Sequence, residues 1–406
     1  MVLLMGGVIA SILLFSIPSV SSRLAWRMEA AWAYLRGILQ PIGDVPTSLP
    51  VTTLSTITPT LPIASPTTTT QSVAEAVKPP PTPSPTPLPV SVSLPSPRWE
   101  EQDWNNCGPV TLALYMRTFG WRGDQFDISD VIKPERPDRN VNIEELVYYV
   151  RNYAGWLFAE YRVGGSIQLL KTFIAEGLPV MIEEGFFLEQ AYWPNDDLWA
   201  GHYLLLTGYN DNTQSFTAQD SFTGPDKLIQ YTDLDANWKI FNRVFILLFL
   251  PSQKATVQRI LDSDWDVNLN RQRALETARE EIEVNPLDAV AWFNLGTNLV
   301  YFNRYTEAAQ AYDTARSVGL PQRMLRYQFG PFIAYFHSGR TDDLLVLTEY
   351  ALQITPNSEE ALLWRGWGRY RKGDTNGAIA DFRAALEANR FYQDARYALE
   401  YLGVTP

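Results

Sequence analysis

The only cysteine of the 406-residue chain, Cys107, lies in a short polar segment that also contains a tryptophan and two asparagines. The next ten residues, 110–119, are apolar at helical spacing, which predicts that Cys107 sits where a loop enters a helix. Unpaired N–H groups and the positive end of the helix dipole favour an anion there. A thiol at such a position loses its proton more easily, and the thiolate is the nucleophile. The alternative is a small buried hydrophobic residue, the usual role of a lone cysteine.

Three other residues could supply the remaining parts of thiol acyl transfer. His202 opens a strand-like run in the same globular segment, and Asp220 closes the next run. Gln102 lies just upstream of Cys107. An imidazole can accept the thiol proton, a carboxylate can orient the imidazole, and an amide can donate to an oxyanion. The four residues are far apart in the sequence, as expected for a site assembled by the fold.

In their local motifs, these residues resemble the C39-like family of cysteine peptidases. The motifs are Gln102 followed by Asn106-Cys107-Gly108-Pro109, then Gly201-His202-Tyr203 with Gly208-Tyr209-Asn210-Asp211, and then Asp220. The resemblance covers about residues 98–250 and implies a papain-like fold. It implies that Cys107 is the nucleophile and His202 the general base. It also implies that Asp220 orients the base and that Gln102 donates to the oxyanion. Ser221 follows Asp220 where the family commonly has a proline.

The order of predicted elements indicates an α+β domain over residues 98–250. Helices are predicted after Cys107, at 141–150 with Asn142 as N-cap, and at 167–175, followed by strands at 179–184, 202–209, 215–219 and 243–250. Helices first and sheet second within one domain is an α+β order. It agrees with the papain-like plan that the resemblance implies, in which the nucleophile helix packs on a sheet that carries the base.

An aromatic segment, 186–199, runs directly into His202. Two interpretations stay open for its Tyr192, Trp193 and Trp199. These side chains contact substrate in a loop that borders the site, or they fill the edge of their own domain, because loops near sites do both.

Residues 251–406 differ in kind, because alanines recur at about 34–36 residues. Trp292-Phe293-Asn294-Leu295-Gly296 with later alanines is typical of a tetratricopeptide (TPR) solenoid. We predict repeats at about 289–322, 325–358 and 359–392, a partial repeat at 255–287 and a final helix at 391–402. The repeats bind a protein partner on a concave surface, or they only stabilise the enzyme domain. His337 in the middle repeat is interpreted as a packing or surface residue.

The N-terminal part predicts attachment to a membrane or export. Residues 1–22 carry no charged side chain and form a signal peptide or a transmembrane anchor. A juxtamembrane helix is predicted at 23–40, either lying on a membrane or partner surface or simply continuing the anchor. Residues 41–97 are rich in Pro, Thr and Ser and are predicted to be a disordered, extended linker. Such a linker favours a catalytic domain displayed outside the cytoplasm.

Composition excludes several classes of function. The net charge of −12 argues against nucleic acid as a partner. One cysteine and two histidines offer no clustered zinc ligands, so no metal and no other cofactor is predicted. The sequence thus predicts a membrane-anchored or exported cysteine peptidase that acts on a peptide or protein, with a TPR domain for a protein partner. The alternatives are an inactive papain-like peptide-binding module with a TPR scaffold, and a thiol acyltransferase or transpeptidase.

Overall fold

The computed structural model describes residues 18–50, 87–136 and 141–406. The described part comprises an antiparallel sheet with flanking helices, followed by a stack of helices. The strands are β1 (Ser91–Ser93), β2 (Phe158–Arg162), β3 (Val180–Phe187), β4 (Trp199–Asn210), β5 (Ser215–Asp220), β6 (Gly224–Gln230) and β7 (Phe245–Phe249). The helices around them are α1 (Pro18–Leu39), α2 (Cys107–Arg117), α3 (Gln125–Ile132), α4 (Ile143–Tyr153), α5 (Ile167–Ala175) and α6 (Tyr231–Lys239).

The strands form one sheet in the order β2-β7-β3-β4-β5-β6, and β1 pairs with the C-terminal end of β4. All strand pairs are antiparallel. Leu204 and Leu205 are adjacent on β4, yet they belong to two separate hydrophobic clusters. Since successive side chains of a strand point to opposite faces, this sheet is packed on both faces. The apolar runs of β3, β4 and β7 follow from that burial.

Helix α2 packs on the sheet through buried residues from Gly108 to Met116. Tyr115 accepts a hydrogen bond from the N–H of Leu248 on β7 (3.0 Å) and donates one to the carbonyl oxygen of Pro179. A Cβ on Gly108 would lie 3.4 Å from the ring of Tyr203 on β4. The helix that begins at the cysteine therefore lies against the strand that carries the histidine, as the α+β plan predicts.

Two predicted helices have side-chain caps, and the sequence predicts the first of these caps. Asn142 precedes α4 and accepts a hydrogen bond from the N–H of Glu145 (3.0 Å), while Glu145 accepts one from the N–H of Asn142 (2.8 Å). This reciprocal pair is a capping box. The Ser166 side chain caps α5, and Gly177 after that helix has a φ of +81°. The prediction missed β1, β2, β6, α3 and α6, which are short or half-polar.

The C-terminal part is a stack of helices. They are α7 (Lys254–Leu261), α8 (Val267–Val284), α9 (Ala289–Tyr301), α10 (Tyr305–Val318), α11 (Met324–Tyr327), α12 (Gly330–His337), α13 (Thr341–Ile354), α14 (Glu359–Arg371), α15 (Thr375–Ala388) and α16 (Gln393–Tyr401). The helix pairs α9–α10, α12–α13 and α14–α15 fall within the three predicted repeats. The middle repeat differs, because its first helix begins only at Gly330, after the separate short helix α11. Pro331 is at the start of α12, where a proline lacking its N–H is tolerated.

The described ends of the predicted linker differ from an extended chain. Val45 is buried, and Arg316 of α10 donates hydrogen bonds to the carbonyl oxygens of Pro46 (2.6 Å) and Thr47 (2.9 Å). At the other end, β1 adds a strand to the sheet, so the first globular part begins before the predicted residue 98. Both ends are ordered because their backbone groups find partners. Residues 51–86 of the predicted linker lie outside the described residues.

A helix, α1, is observed where the juxtamembrane helix is predicted, and it begins before the predicted residue 23. Ala33 is buried, and a Cβ on Gly37 would lie 2.5 Å from the Cβ of Trp193. Small residues on this face therefore allow a close approach to the loop before β4. Residues 1–17 of the predicted signal peptide or anchor lie outside the described residues. Within the described ranges, every helix is too short or too polar to span a bilayer.

Candidate active site

The loop before Cys107 is held by Gln125, the first residue of α3. Its Oε1 accepts hydrogen bonds from the N–H of Asp103 (2.7 Å) and from Nδ2 of the buried Asn106 (2.8 Å). Its Nε2 donates to the carbonyl oxygen of Glu101 (2.9 Å). One amide side chain thus connects three points of the loop, and this connection defines where α2 begins.

Cys107 is the first residue of α2 and is half-buried. Burial raises the pKa of its thiol, but four interactions lower it. They are a hydrogen bond with His202, the charges of His202 and Lys133, and a hydrogen bond with the backbone of Gly108. The net pKa shift is downward. The contribution from Gly108 is the helix-start effect predicted from the sequence, and the thiolate is therefore favoured at a pH where an ordinary thiol is protonated.

His202 lies near the start of β4 and is buried. Its Nε2 is 2.8 Å from Oδ1 of Asp220 at the end of β5. The N–H of Phe222 donates to the same oxygen (2.8 Å), and the hydroxyl of Thr223 donates to Oδ2. Burial raises the pKa of Asp220, but the hydrogen bond and charge of His202, with the bonds from Thr223 and Phe222, lower it to about 2. Asp220 is therefore a carboxylate, and Nδ1 of His202 is left for Cys107.

The pKa of the His202 imidazole is shifted by the same neighbours. Burial lowers the pKa of the imidazole, but hydrogen bonds and charges of Asp220 and Cys107 raise it to about 10. A low thiol pKa beside a high imidazole pKa favours a thiolate–imidazolium pair. The structure thus brings three of the four predicted site residues together: Asp220 is hydrogen-bonded to His202, and His202 acts on the thiol of Cys107.

The fourth predicted residue, Gln102, is bound to the residue that follows Asp220. The N–H of Gln102 donates to the carbonyl oxygen of Ser221 (3.0 Å), and Oγ of Ser221 donates to Oε1 of Gln102 (3.0 Å). The hydroxyl occupies the acceptor end of the amide and so orients its Nε2 donor. A proline at position 221 would lack this hydroxyl. Ser221, the residue that departs from the C39-like motif, is therefore the one that contacts Gln102.

One aromatic ring borders the imidazole. The ring centroids of Phe186 on β3 and of His202 are 5.1 Å apart. The exposed Phe222 packs edge to face on Phe186, with ring centroids 5.4 Å apart. The Phe186 ring covers one side of the imidazole, and an apolar neighbour of this kind strengthens its charge interactions.

The aromatic loop before β4 packs on the helical stack. Trp193 and Trp199 are each 3% exposed. Trp193 Nε1 donates to Oε1 of Gln322 (2.7 Å), and the guanidinium of Arg323 lies 4.1 Å from the Trp193 ring. The ring of Trp199 meets that of Tyr327 edge to face at 5.7 Å. Of the two interpretations of these tryptophans, the structure supports packing, because both rings are covered by residues of the stack.

A buried ion pair joins the same loop to the stack. Both Arg323 Nη1 and Nη2 lie 2.6 Å from the carboxylate oxygens of Asp196, and the side chains of the pair are 1% and 0% exposed. Arg323 also donates to the carbonyl oxygen of Trp199 (3.0 Å), the first residue of β4. Since His202 lies three residues further on, the stack fixes the strand that carries the imidazole.

Several residues of the site were not found from the sequence. Gln125 and Lys133 lie on and just after α3, a helix that was not predicted, and Ser221 was noted only as a departure from the motif. Glu183 and Glu184 on β3 are buried beside the site. For the two glutamates a signal existed, because consecutive carboxylates inside an apolar strand-like run are unusual.

Neither a protein-family model nor a curated protein matches the chain. Solved structures that are similar in part include a protein from Bacillus anthracis named as a C39-like peptidase, at 17% identity and a TM-score of 0.31, covering 39% of this chain and 97% of that one. A double glycine motif protease from an AMS/PCAT transporter, solved in complex with the leader peptide, has 16% identity and a TM-score of 0.29, covering 39% and 93%.

A second group of similar structures consists of helical repeats. YrrB, a TPR protein with an unusual peptide-binding site, has 17% identity and a TM-score of 0.20, covering 35% of this chain and 88% of that one. At these identities and TM-scores the similarities carry no argument about activity. The observed architecture is an α+β part with an antiparallel sheet, followed by helical repeats.

Proposed function

We propose that this chain is a membrane-anchored or exported cysteine peptidase with a papain-like, C39-like domain, and that its repeats bind a protein partner. The observation that carries the proposal is the series of Cys107, His202 and Asp220, in which Asp220 is hydrogen-bonded to His202 and His202 lowers the pKa of the Cys107 thiol. A nucleophile, a base within hydrogen-bond reach and a group that orients the base are the parts of thiol acyl transfer.

In the proposed reaction, Nδ1 of His202 takes the proton of Cys107, and the thiolate attacks the carbonyl carbon of a peptide bond. Gln102 Nε2 and the backbone N–H of Cys107 donate to the oxyanion. The imidazolium gives its proton to the leaving amine as the C–N bond breaks, which leaves a thioester on the sulfur. Water, deprotonated by His202, then attacks the thioester and releases the acid. Asp220 stays ionised and holds the imidazole in one orientation throughout.

Two other functions use the same domain differently. An inactive peptide-binding module would keep the fold but have an unreactive thiol. A thiol acyltransferase or transpeptidase would keep the thioester step and replace water by an amine. The downward shift of the Cys107 pKa favours the two reactive functions over the inactive module.

The pH dependence of iodoacetamide alkylation tests the proposed chemistry at the only cysteine of the chain. We expect full-length protein to be alkylated well below pH 8, and His202→Ala to lower the rate at pH 6. At pH 6 an ordinary thiol of pKa about 8.5 is less than about 1% thiolate, and the lowered pKa of Cys107 leaves more of its thiol ionised. The lower intrinsic nucleophilicity of such a thiolate offsets only part of this gain, so the folded protein should still react faster than an ordinary thiol.

The same two proteins unfolded in urea provide the control, because both should then react as ordinary thiols. A folded-state rate that follows an ordinary thiol, or no labelling of the folded protein, would favour the inactive binding module.

The repeats are proposed to bind a protein or peptide partner. Aromatic side chains cluster along α12 and α14, where Phe336 lies 5.3 Å from Trp364 and 6.4 Å from Trp367. Stacked helix pairs commonly present such side chains to a partner. The contacts of Arg323 support a stabilising role of the repeats for the first domain as well, and the two predicted roles are compatible.

Helix α1 supports a place at a membrane surface. Met28, Trp32, Leu35 and Leu39 are spaced along one stripe of this helix and are 62%, 58%, 43% and 70% exposed. An exposed apolar stripe of this kind partitions into the boundary between head groups and acyl chains. Residues 1–17, which precede the helix, carry no charged side chain.

A fluorescent probe at position 28 tests the membrane proposal. In a Cys107→Ala background, Met28→Cys provides the single labelling site for an environment-sensitive dye. We expect its emission to shift to the blue when phosphatidylcholine vesicles are added, because the dye enters an apolar region. Tyr397→Cys on α16, where Tyr397 is 63% exposed, is the matched control and should not shift. A dye at position 28 that stays in water would contradict the proposal.

A further inference from the structure

Two consecutive glutamates of β3, Glu183 and Glu184, are buried, and the proposed mechanism uses neither. Successive side chains on a strand point to opposite faces, so the two carboxyl groups have different neighbours. In the antiparallel ladder with β4, Glu183 is the partner of Tyr203 and Glu184 is the partner of His202.

Glu184 therefore lies beside the imidazole of His202. Directly opposite residues of an antiparallel pair have Cβ atoms about 4.5–5.5 Å apart on the same face. Phe186, two residues further along β3, shares that face, and its ring lies 5.1 Å from the ring of His202. The imidazole is thus flanked by Glu184 and Phe186, and its Nε2 is bound to Asp220.

The carboxyl group of Glu184 is only partly satisfied. The residue is 5% exposed, and among the described residues its Oε2 has no hydrogen-bond partner. An ionised oxygen without a donor is costly in such a place. Burial raises the pKa of Glu184, the charge of His202 opposes this, the charge of Asp220 adds to it, and the result is about 7.

The charged groups around Glu184 come from the neighbouring strands. His202 on β4 and Asp220 on β5 act on it through their charges. The helices packed against β3 are α2, α5 and α6, and their cations Arg117, Lys171 and Lys239 are each bound to another carboxylate. Arg117 pairs with Glu100, Lys171 with Asp211, and Lys239 with Glu281 and Asp288. Among the described residues, the imidazolium of His202 is therefore the cation with which Glu184 interacts.

We propose that Glu184 is a positioning residue for the proton of His202: lying opposite this residue on the neighbouring strand, its carboxylate keeps the imidazole protonated. This role goes beyond the series of Cys107, His202 and Asp220, and its catalytic meaning rests on the proposed function. The coupling between the two side chains does not depend on activity.

The direction in which Glu184 changes the pKa of His202 distinguishes this role from a purely structural one. Below neutral pH, Glu184 carries no charge and resembles glutamine. The protonation of His202 in acid should therefore be the same in the parent protein and in Glu184→Gln. Above neutral pH, its carboxylate adds a second negative charge beside the imidazolium, which raises the pKa of His202. Glu184 therefore extends the range of the thiolate–imidazolium pair on the alkaline side alone.

The titration of His202, followed by NMR of full-length protein with labelled histidine, tests this proposal. A Cys107→Ala background removes coupling to the thiol, and the two histidines of the chain are distinguished with His337→Gln. We expect Glu184→Gln to lower the pKa of His202 by about half a unit or more, a modest value for two adjacent charges. Glu183→Gln is the matched control, because its side chain lies on the opposite face and its charge acts on Cys107, which this background lacks, so it should leave the titration unchanged.

An unchanged pKa of His202 in a folded Glu184→Gln variant would overturn the proposal. If that variant does not fold, the parent protein decides the question by itself. Its His202 signal should then show a second inflection near neutral pH, from ionisation of Glu184, and a single-step curve would overturn the proposal. If the coupling is observed in a protein that cleaves no peptide, the proposed function fails while this inference stands.

Discussion

Replacing Cys107 by alanine is expected to abolish peptide hydrolysis, and replacing Gln102 by alanine is expected to slow turnover by about 100-fold or more. The first change removes the nucleophile, so no thioester forms. The second removes one of two donors to the oxyanion and leaves the series of Cys107, His202 and Asp220 intact. The measurement is kcat/KM of full-length protein on a peptide substrate found by screening a peptide library, with products identified by mass spectrometry.

Two further variants make this test specific. Gln168→Ala removes an exposed amide on α5 and should leave turnover unchanged. Ser221→Ala removes the hydroxyl bound to Gln102 and should slow turnover less than Gln102→Ala, because the amide remains. Turnover by Gln102→Ala equal to that of the parent would remove Gln102 from the oxyanion site. Turnover by Cys107→Ala would contradict the proposed mechanism as a whole.

Replacing Arg323 by alanine is expected to lower the free energy of unfolding by about 3–5 kcal/mol, because it leaves a buried carboxylate unpaired. Asp196 is the partner of Arg323, and its side chain is 0% exposed. The change also removes the cation over the Trp193 ring and a donor to the carbonyl oxygen of Trp199. Urea denaturation of full-length protein, followed by tryptophan fluorescence, measures the loss.

The chain offers a matched control for this ion pair. Arg259 and Glu176 are 2.9 Å apart, but their side chains are 62% and 42% exposed. Arg259→Ala should therefore cost about 0–1 kcal/mol. The double variant Arg323→Ala/Asp196→Ala should cost less than the sum of the two single variants, because no unpaired charge remains. A loss for Arg323→Ala as small as that of the control would show that the interface does not depend on this pair.

The interface joins two parts of the molecule that the sequence presents as separate. The sequence alone suggests a catalytic domain and a separate set of repeats joined by a boundary near residue 250. In the structure, the loop before β4 is enclosed by Gln322 and Arg323, and β4 carries His202. The repeats thus contact the loop that precedes the His202 strand, and removing them would expose Trp193 and Trp199.

The sequence by itself determined the local elements that carry the chemistry. The apolar helical spacing after Cys107 was enough to place it at the start of a helix, and Asn142 and Ser166 each cap a helix. These features depend on neighbours within a few residues, and such interactions are readable from spacing and residue type. The four predicted site residues were likewise singled out by their local motifs.

Only the tertiary structure decided what lies next to these residues. The pairing of β3 with β4 sets Glu184 opposite His202, and the contact of Ser221 with Gln102 joins residues that are more than one hundred positions apart. The burial of Trp193 by Arg323 likewise joins distant segments. Register and packing of this kind are set by which faces are buried together, and a single sequence does not specify those partners. The pKa shifts of Cys107, His202 and Asp220 follow from the contacts that the fold makes among them, against the effect of burial, so they too were decided by the fold.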